Sequence, residues 1–499
     1  MSSAGSLGGD VLKLTGIRVL SAVISLVTAM LLSRLRTLEE YGTYSQILLV
    51  ANLASSIFML GLPSSVNFFL GKAVDDRERR DFLSIYYLLS TMLGALSGLV
   101  LVLSLPLIES YFGNANISSF WYLLATLPWA NIILSGIDNV LVASRRTNTL
   151  LAFKIPYSLA LLGAVLLAEA LQLGFNGYMA LFAGVQVIFG LAVYAIVPSV
   201  AGALKLRLNL SAMRTVLAYS IPLGLASSTG LITVQFDKLL IGFSHSVEEM
   251  AIYTNASREM PVSLVAASLT AVVMPVIVRL LSRGRVYDSV RLWGRATLLG
   301  YGAISLVALG LFVFAEDALT LLYSEKYTAG ATVFRIYALV LLFRATYFGM
   351  FLSATGRTRT VLWTSLATLG LSITLGLAGL WLFGFPGPAL GSLTAIGLTQ
   401  LIQLILTSRT MNIPFRHVFP WRALGGITAL NVTLGLLAYL AKLLLPLESS
   451  IGSVAESLIL GTAWLAVYAG LMARPAGRWL RELRDPGEAP AAGGAYGYE

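Results

Sequence analysis

Runs of about twenty apolar residues recur from one end of this 499-residue chain to the other. About twenty residues of α-helix span the roughly 30 Å hydrocarbon core of a bilayer, so each run is long enough to cross a membrane. Hydrophobic residues make up 57% of the chain and charged residues only 12%, which is too few to cover the surface of a water-soluble protein of this length. The chain is therefore predicted to be a membrane protein.

The apolar runs predict an all-α polytopic fold with about fourteen transmembrane helices. The strands of a transmembrane barrel alternate between polar and apolar residues over about ten positions, whereas these runs are apolar on every side. The predicted spans cover residues 12–33, 42–71, 82–107, 119–143, 148–168, 178–201, 215–243, 251–278, 293–315, 329–355, 360–383, 387–408, 422–444 and 451–473.

Basic residues divide unevenly between the two sides of this layout. With the N-terminus in the cytoplasm, 26 of the 34 Lys and Arg residues fall on the cytoplasmic side, four outside and four within spans. An excess of Lys and Arg in cytoplasmic loops is the usual signature of membrane orientation. The pattern predicts a cell-membrane protein with both termini in the cytoplasm. The net charge of +10 then belongs to loops beside anionic lipid, and no nucleic-acid partner is predicted.

Two short segments of similar pattern indicate an internal repeat. Residues 38–45 read LEEYGTYS where span 1 leads into span 2, and residues 247–254 read VEEMAIYT where span 7 leads into span 8. Repeats six spans apart have the same orientation, which is the parallel-repeat plan of transporters with the substrate path between the halves. We predict an N-terminal lobe (1–208), a C-terminal lobe (209–410), two additional spans (411–475) and a disordered cytoplasmic tail (476–499).

The same segments resemble a known family. Residues 31–45 (LLSRLRTLEEYGTYS) and 61–68 (GLPSSVNF) resemble the first motifs of the Wzx-type polysaccharide and oligosaccharide flippases, and residues 236–242 (FDKLLIG), followed by Tyr253 and Arg258, resemble a third. That family belongs to the multidrug/oligosaccharidyl-lipid/polysaccharide exporter superfamily. The resemblance implies two six-span lobes, often with two further spans, and a transporter rather than an enzyme. Its implied substrate is a polyprenyl-diphosphate-linked oligosaccharide, moved by alternating access.

Ionisable side chains within spans are the candidates for substrate contacts. A charge at a helix centre costs about 2.5–3.5 kcal/mol on insertion and is expected to face a cavity or a partner. Arg344 in span 10 and Arg258 in span 8 suit a lipid diphosphate, because a guanidinium group binds two phosphate oxygens at once. For Arg344 the alternative is a tie to a backbone carbonyl or a carboxylate of another helix. For Arg258 the alternative is an ion pair that holds spans 7 and 8 together.

Other polar residues within the spans complete the candidate set. Arg18 and Asp138 lie in the inner thirds of spans 1 and 4, where they could line the inner mouth of a cavity, although Arg18 could also reach lipid headgroups. Asn67 either contacts sugar or forms an interhelical hydrogen bond, and Arg335 is expected to reach the outer surface. The predicted substrate-contacting residues are Arg258, Arg344, Arg18, Asp237, Lys238, Asp138 and Asn67.

Several classes of chemistry are disfavoured by composition. The chain has no cysteine and two histidines, so a thiolate or histidine-built metal centre is not expected. It has no nucleotide-binding loop, and no cofactor is predicted, although the coupling ion stays open. The alternative functions are another exporter of the same superfamily, such as a cation-coupled drug exporter or a lipid II flippase, and a membrane sugar polymerase or ligase. The protein is expected to be a monomer. Its expected partners are a lipid-linked oligosaccharide, membrane lipids and polysaccharide-assembly proteins.

The predicted orientation is testable with compartment-sensitive reporter fusions. Fusions in the odd-numbered loops should report outside because an odd number of spans precedes them, and those in the even-numbered loops should report inside. Two adjacent fusions in the wrong compartment would contradict the layout. The outside positions are after residues 116, 175, 246, 326, 385 and 447, and the inside positions are after residues 76, 147, 208, 287, 358 and 415.

Overall fold

A computed structural model describes residues 3–204, 209–445 and 452–484, and these residues are helical over most of their length. Fourteen helical segments among them are long and apolar enough to cross a membrane. The described part of the chain contains no β-strand. The predicted all-α polytopic membrane fold with fourteen spans is therefore confirmed.

The chain divides into two compact units, Met1–Thr254 and Asn255–Glu499. The predicted lobe limits at 208/209 and 410/411 stay a prediction. The helices of the first unit, the last of which ends two residues beyond its limit, are α1 (Ser3–Leu35), α2 (Leu38–Phe58), α3 (Leu62–Lys72), α4 (Asp76–Leu103), α5 (Leu105–Phe112), a 3-10 helix (Ala115–Phe120), α6 (Trp121–Ala143), α7 (Thr147–Ala170), α8 (Gly174–Ile196), α9 (Pro198–Ala201), α10 (Leu210–Ser244) and α11 (Val247–Ala256).

The second unit contains ten α-helices and one 3-10 helix among its described residues. Its last two spans pack on the others through α13 and α14. The elements are α12 (Ser263–Ser282), α13 (Val286–Val313), α14 (Ala315–Leu322), a 3-10 helix (Glu325–Gly330), α15 (Ala331–Phe343), α16 (Met350–Ala354), α17 (Thr358–Phe383), α18 (Gly387–Met411), α19 (Phe415–Val418), α20 (Trp421–Leu444) and α21 (Ser453–Arg484).

The internal repeat has a physical basis in helix capping. The Thr37 hydroxyl accepts a hydrogen bond from the Glu40 amide at 3.1 Å, and the Glu40 carboxylate accepts one from the Thr37 amide at 3.0 Å. Ser246 and Glu249 form the same reciprocal pair, at 3.2 and 3.0 Å. Such a capping box satisfies backbone N–H groups that the first turn of a helix leaves unpaired. The second glutamate of each repeated segment is therefore explained by the start of a helix.

The structure contains a second repeated feature, which the sequence does not show. The 28-residue helices α4 and α13 are each followed by an eight-residue helix, a six-residue 3-10 helix and then the next span. The two stretches, residues 104–120 and 314–330, have no identical residue at equivalent positions. Their likeness lies in the lengths of the elements, so only the folded chain reveals it.

The last helix extends beyond the predicted final span. α21 continues to Arg484, so the prediction of a disordered tail from residue 476 is wrong for residues 476–484, while residues 485–499 lie outside the described part of the chain. Trp479 and Leu483 pack on the apolar core of unit 2. Glu482 forms an ion pair with Arg295 of α13 at 2.7 Å. These contacts favour helix where the sequence becomes charged and proline-containing.

Glycines allow α10 to approach the junction between α2 and α3. Gly61 ends the turn at this junction with φ +70°, a conformation that side chains disfavour. A Cβ atom added at Gly224 of α10 would lie 2.3 Å from the Leu60 carbonyl carbon, which is backbone and cannot rotate away. The second predicted span, 42–71, therefore contains two helices, α2 and α3, and α10 packs closely against the turn between them.

The tight contact predicts opposite effects of one substitution at two glycines of α10. Gly224→Ala should lower the free energy of unfolding by about 1–3 kcal/mol, because the added methyl group overlaps backbone atoms. Gly230→Ala should be neutral or raise stability by up to about 1 kcal/mol, because no atom lies within 4 Å of a Cβ at Gly230. Thermal unfolding in detergent would measure both. Equal melting temperatures for the two variants would contradict the close packing.

Candidate functional site

The eighth span is interrupted. α11 ends at Ala256 and α12 begins at Ser263, and the residues between them are not helical. Pro261 lies in the break and favours it, because proline lacks a backbone N–H and disfavours helical geometry at the residue before it. The predicted continuous span 251–278 is wrong at this point. Arg258 and Glu259 lie in the interruption.

The predicted tenth span, 329–355, is not one helix either, and no proline lies in its break. α15 ends at Phe343 and α16 begins at Met350, so the continuous span 329–355 is wrong as well. Arg344, predicted near the middle of a helix, is the residue that ends one. The Gln400 amide of α18 donates a hydrogen bond to the Phe343 carbonyl at 2.8 Å. This bond satisfies a carbonyl group at the helix end, which hydrocarbon could not do.

The segment after Arg344 is held by α13. The indole N–H of Trp293 donates to the Thr346 hydroxyl at 2.9 Å, and the Thr297 hydroxyl lies 3.0 Å from the same oxygen. The Ala345 carbonyl oxygen also approaches Gly300, where an added Cβ would lie 2.7 Å from it. The Thr346 side chain is therefore anchored to α13, while the Phe343 carbonyl is satisfied from α18. Sequence reasoning had identified none of these partners.

Both arginines that the sequence singled out lie in these interruptions. Non-helical backbone at membrane depth is tolerated where it is buried in protein or lines a water-filled cavity, and interrupted helices form substrate sites in many transporters. We call Arg258, Glu259 and Arg344 the candidate anion site. All three belong to unit 2.

Arg344 forms an ion pair within this site. Its Nη1 atom lies 2.8 Å from Oε1 of Glu259, and the two side chains are 30% and 44% exposed. The carboxylate tie that was the alternative for Arg344 therefore exists. Partial exposure of both side chains leaves them accessible to a ligand, so the tie does not exclude substrate contact. Arg258 is half-buried, and its role in substrate binding stays a prediction.

The candidates on α10 lie in unit 1. Asp237 is buried, and its Oδ2 atom accepts a hydrogen bond from the Tyr253 hydroxyl at 2.9 Å. The Lys238 ammonium group lies 3.9 Å from Oδ1 of the same carboxylate. Tyr253 belongs to the third motif quoted above, and it explains how the Asp237 carboxylate is held. That Asp237 orients Arg258 stays a prediction.

The remaining candidates are dispersed. Asp138 of α6 pairs with Lys154 of α7 at 2.9 Å, while Arg18 on α1 and Asn67 on α3 are exposed. Arg335 pairs with Glu316 of α14 at 3.1 Å. Substrate contact by Arg18, Asp138 and Asn67 stays a prediction.

Acidic residues and histidines do not cluster as a metal site would require. Among residues 3–204, 209–445 and 452–484, no group of three or more such side chains is placed to hold a metal ion.

Comparison with known proteins supplies a family and a fold. A family model described as polysaccharide biosynthesis protein matches residues 7–281. No protein of curated function matches the chain in sequence.

Solved structures that resemble this one are membrane transporters. The lipid II flippase MurJ in an inward closed conformation has a TM-score of 0.70 and 15% identity, covering 93% of this chain and 99% of that one. A mutant of the Vibrio cholerae MATE transporter VcmN has a TM-score of 0.54 and 19% identity, covering 83% and 98%. An outward-facing multidrug resistance MATE transporter of the MOP superfamily has a TM-score of 0.54 and 13% identity, covering 81% and 95%. With sequence identities this low, the TM-scores show a shared fold and nothing further.

Proposed function

This chain belongs to the polysaccharide biosynthesis protein family, and we propose that it is a flippase for a lipid-linked oligosaccharide of the polyprenyl-diphosphate type. The observation that carries the proposal is the placement of Arg258 and Arg344 at interruptions of two spans in a chain of this family. A diphosphate has to cross roughly 30 Å of hydrocarbon, where a bare charge is very unfavourable. Arginines on non-helical backbone can stabilise that charge inside the protein.

The proposed mechanism is alternating access without covalent chemistry. The diphosphate headgroup binds beside the arginines, the protein opens to the other side, and the lipid tail stays in the bilayer. Binding has to be moderate, because a ligand held equally well in both states shifts no equilibrium between them. Direction would come from an ion gradient, the membrane potential or consumption of the product.

The setting of this activity is part of the proposal. The protein would lie in the cell membrane with both termini in the cytoplasm, act as a monomer and deliver its substrate to polysaccharide-assembly proteins. MurJ is a lipid II flippase by its description, and the shared fold makes a lipid-linked substrate of this kind the nearest alternative. Cation-coupled drug export is the other alternative, because the MATE transporters share the fold.

Reconstitution tests the proposal directly. The purified protein in liposomes should move a polyprenyl-diphosphate-linked oligosaccharide between leaflets and leave it covalently unchanged. Arg258→Ala and Arg344→Ala should each slow the transfer about tenfold or more, because each removes a charged hydrogen-bonding partner of the headgroup. Lysine at either position should restore only part of the rate, since it lacks the planar fork.

Arg335→Ala is the matched control for these variants. Arg335 lies on the same span as Arg344 and also pairs with a glutamate, but it sits on the regular helix α15. Its loss should leave the transfer rate within about twofold of the wild type. A chemically altered lipid product would favour an enzyme. Stable, fully active Arg258→Ala and Arg344→Ala variants would show that these arginines are structural.

A further inference from the structure

The ion pair between Arg344 and Glu259 has a geometry that leaves room for a competitor. A guanidinium group presents five N–H donors and can hold two oxygens side by side. Here the recorded contact joins one nitrogen, Nη1, to one oxygen, Oε1, at 2.8 Å. Within the described residues of unit 2, Glu259 is the acidic side chain that pairs with Arg344. The pair therefore uses part of the binding capacity of the arginine.

The backbone around this pair differs from that of an ordinary interhelical ion pair. Glu259 lies in the non-helical segment after α11, and Arg344 ends α15 before another non-helical segment. Neither side chain is fixed by the regular backbone of a helix on both sides. A change of partner at Arg344 would need movement of one partly exposed glutamate and no break in a helix.

The ion pair would stabilise the charge of Arg344 while no lipid is bound. If the arginines bind a lipid diphosphate, they must also pass through the transport cycle after the lipid has left. An unpaired arginine is unfavourable in a low-dielectric environment. A resident carboxylate neutralises the arginine while the site is empty. It also weakens net lipid binding, because the headgroup has to displace it.

We propose that Glu259 is the resident counter-ion of Arg344 and that the anionic headgroup of the substrate displaces it. The inference rests on the proposed function and adds a residue that controls substrate affinity. The displacing group has to be an anion with several oxygens, and a diphosphate fits because it can occupy both arms of the guanidinium fork. Glu259 is then a positioning residue that makes no bond to the lipid itself.

A binding experiment in detergent tests this role on the full-length protein. The probe is farnesyl diphosphate, a soluble lipid diphosphate, and neutral farnesol is its uncharged counterpart. Glu259→Gln keeps the shape of the side chain and removes its charge. It should bind farnesyl diphosphate about two- to fivefold more tightly, which corresponds to the loss of one partly exposed competing ion pair. Farnesol binding should not change.

A double-mutant cycle separates this effect from general electrostatics. In an Arg344→Ala background, Glu259→Gln should no longer tighten binding, since the glutamate acts through Arg344 alone. Glu316→Gln is the matched control, because it removes the partner of Arg335 on the same span and should leave the affinity unchanged. Glu259→Asp retains the charge and should bind within about twofold of the wild type, with melting temperatures confirming that each variant is folded.

The outcomes are distinct. Unchanged or weaker binding by Glu259→Gln overturns the inference, as does an equal gain in the Arg344→Ala background or in Glu316→Gln. If the wild type itself binds farnesyl diphosphate no better than farnesol, the proposed function fails and the inference fails with it. Tighter binding by Glu259→Gln that depends on Arg344 supports the inference.

Discussion

A charged side chain taken out of water needs a partner, and this constraint explains several ion pairs that join helices of this protein. Lys442 of α20 binds the Asp317 carboxylate of α14. Two serines of α21 accept hydrogen bonds from this lysine and donate hydrogen bonds to this carboxylate. Lys154 holds Asp138 across α6 and α7. Such pairs connect neighbouring spans. Removing one member is unfavourable, because it leaves the charge of the other without a partner. The last two spans are joined to the other helices of unit 2 in this way.

The same constraint applies to backbone groups where a helix stops. The end of α15 is tolerated because Gln400 donates to the Phe343 carbonyl, and the segment beyond it rests on Trp293 and Thr297 through Thr346. The break in span 8 contains Pro261, which favours an interruption because it lacks a backbone N–H and its ring clashes with the preceding turn. The protein thus has two interrupted spans, and each presents an arginine. A non-helical segment that carries a charge is stable inside a membrane protein where neighbouring side chains form hydrogen bonds with its polar groups.

Sequence alone predicted the features that depend on local composition. The fourteen spans follow from the lengths of apolar runs, and Arg258 and Arg344 stood out because charges are rare within such runs. The break at Arg344 could not be predicted, because the side chain that satisfies the Phe343 carbonyl at the helix end belongs to Gln400, 57 residues further along the chain. Glu259 as the partner of Arg344 was also hidden, since the two are 85 residues apart. The helical extension of α21 depends on Trp479 and Leu483 packing against distant residues, which a charged, proline-containing sequence does not reveal.

The central claim is that the protein recognises the negative charge of a lipid headgroup with the arginines of its interrupted spans. The most direct measurement compares two lipids in the same liposomes: a polyprenyl-diphosphate-linked saccharide and a neutral glycolipid with the same sugar and a similar tail. The account predicts that the protein moves the diphosphate-linked lipid between leaflets and leaves the neutral one at the protein-free rate. Equal transfer of both lipids would contradict it, because the charge would then play no part in recognition.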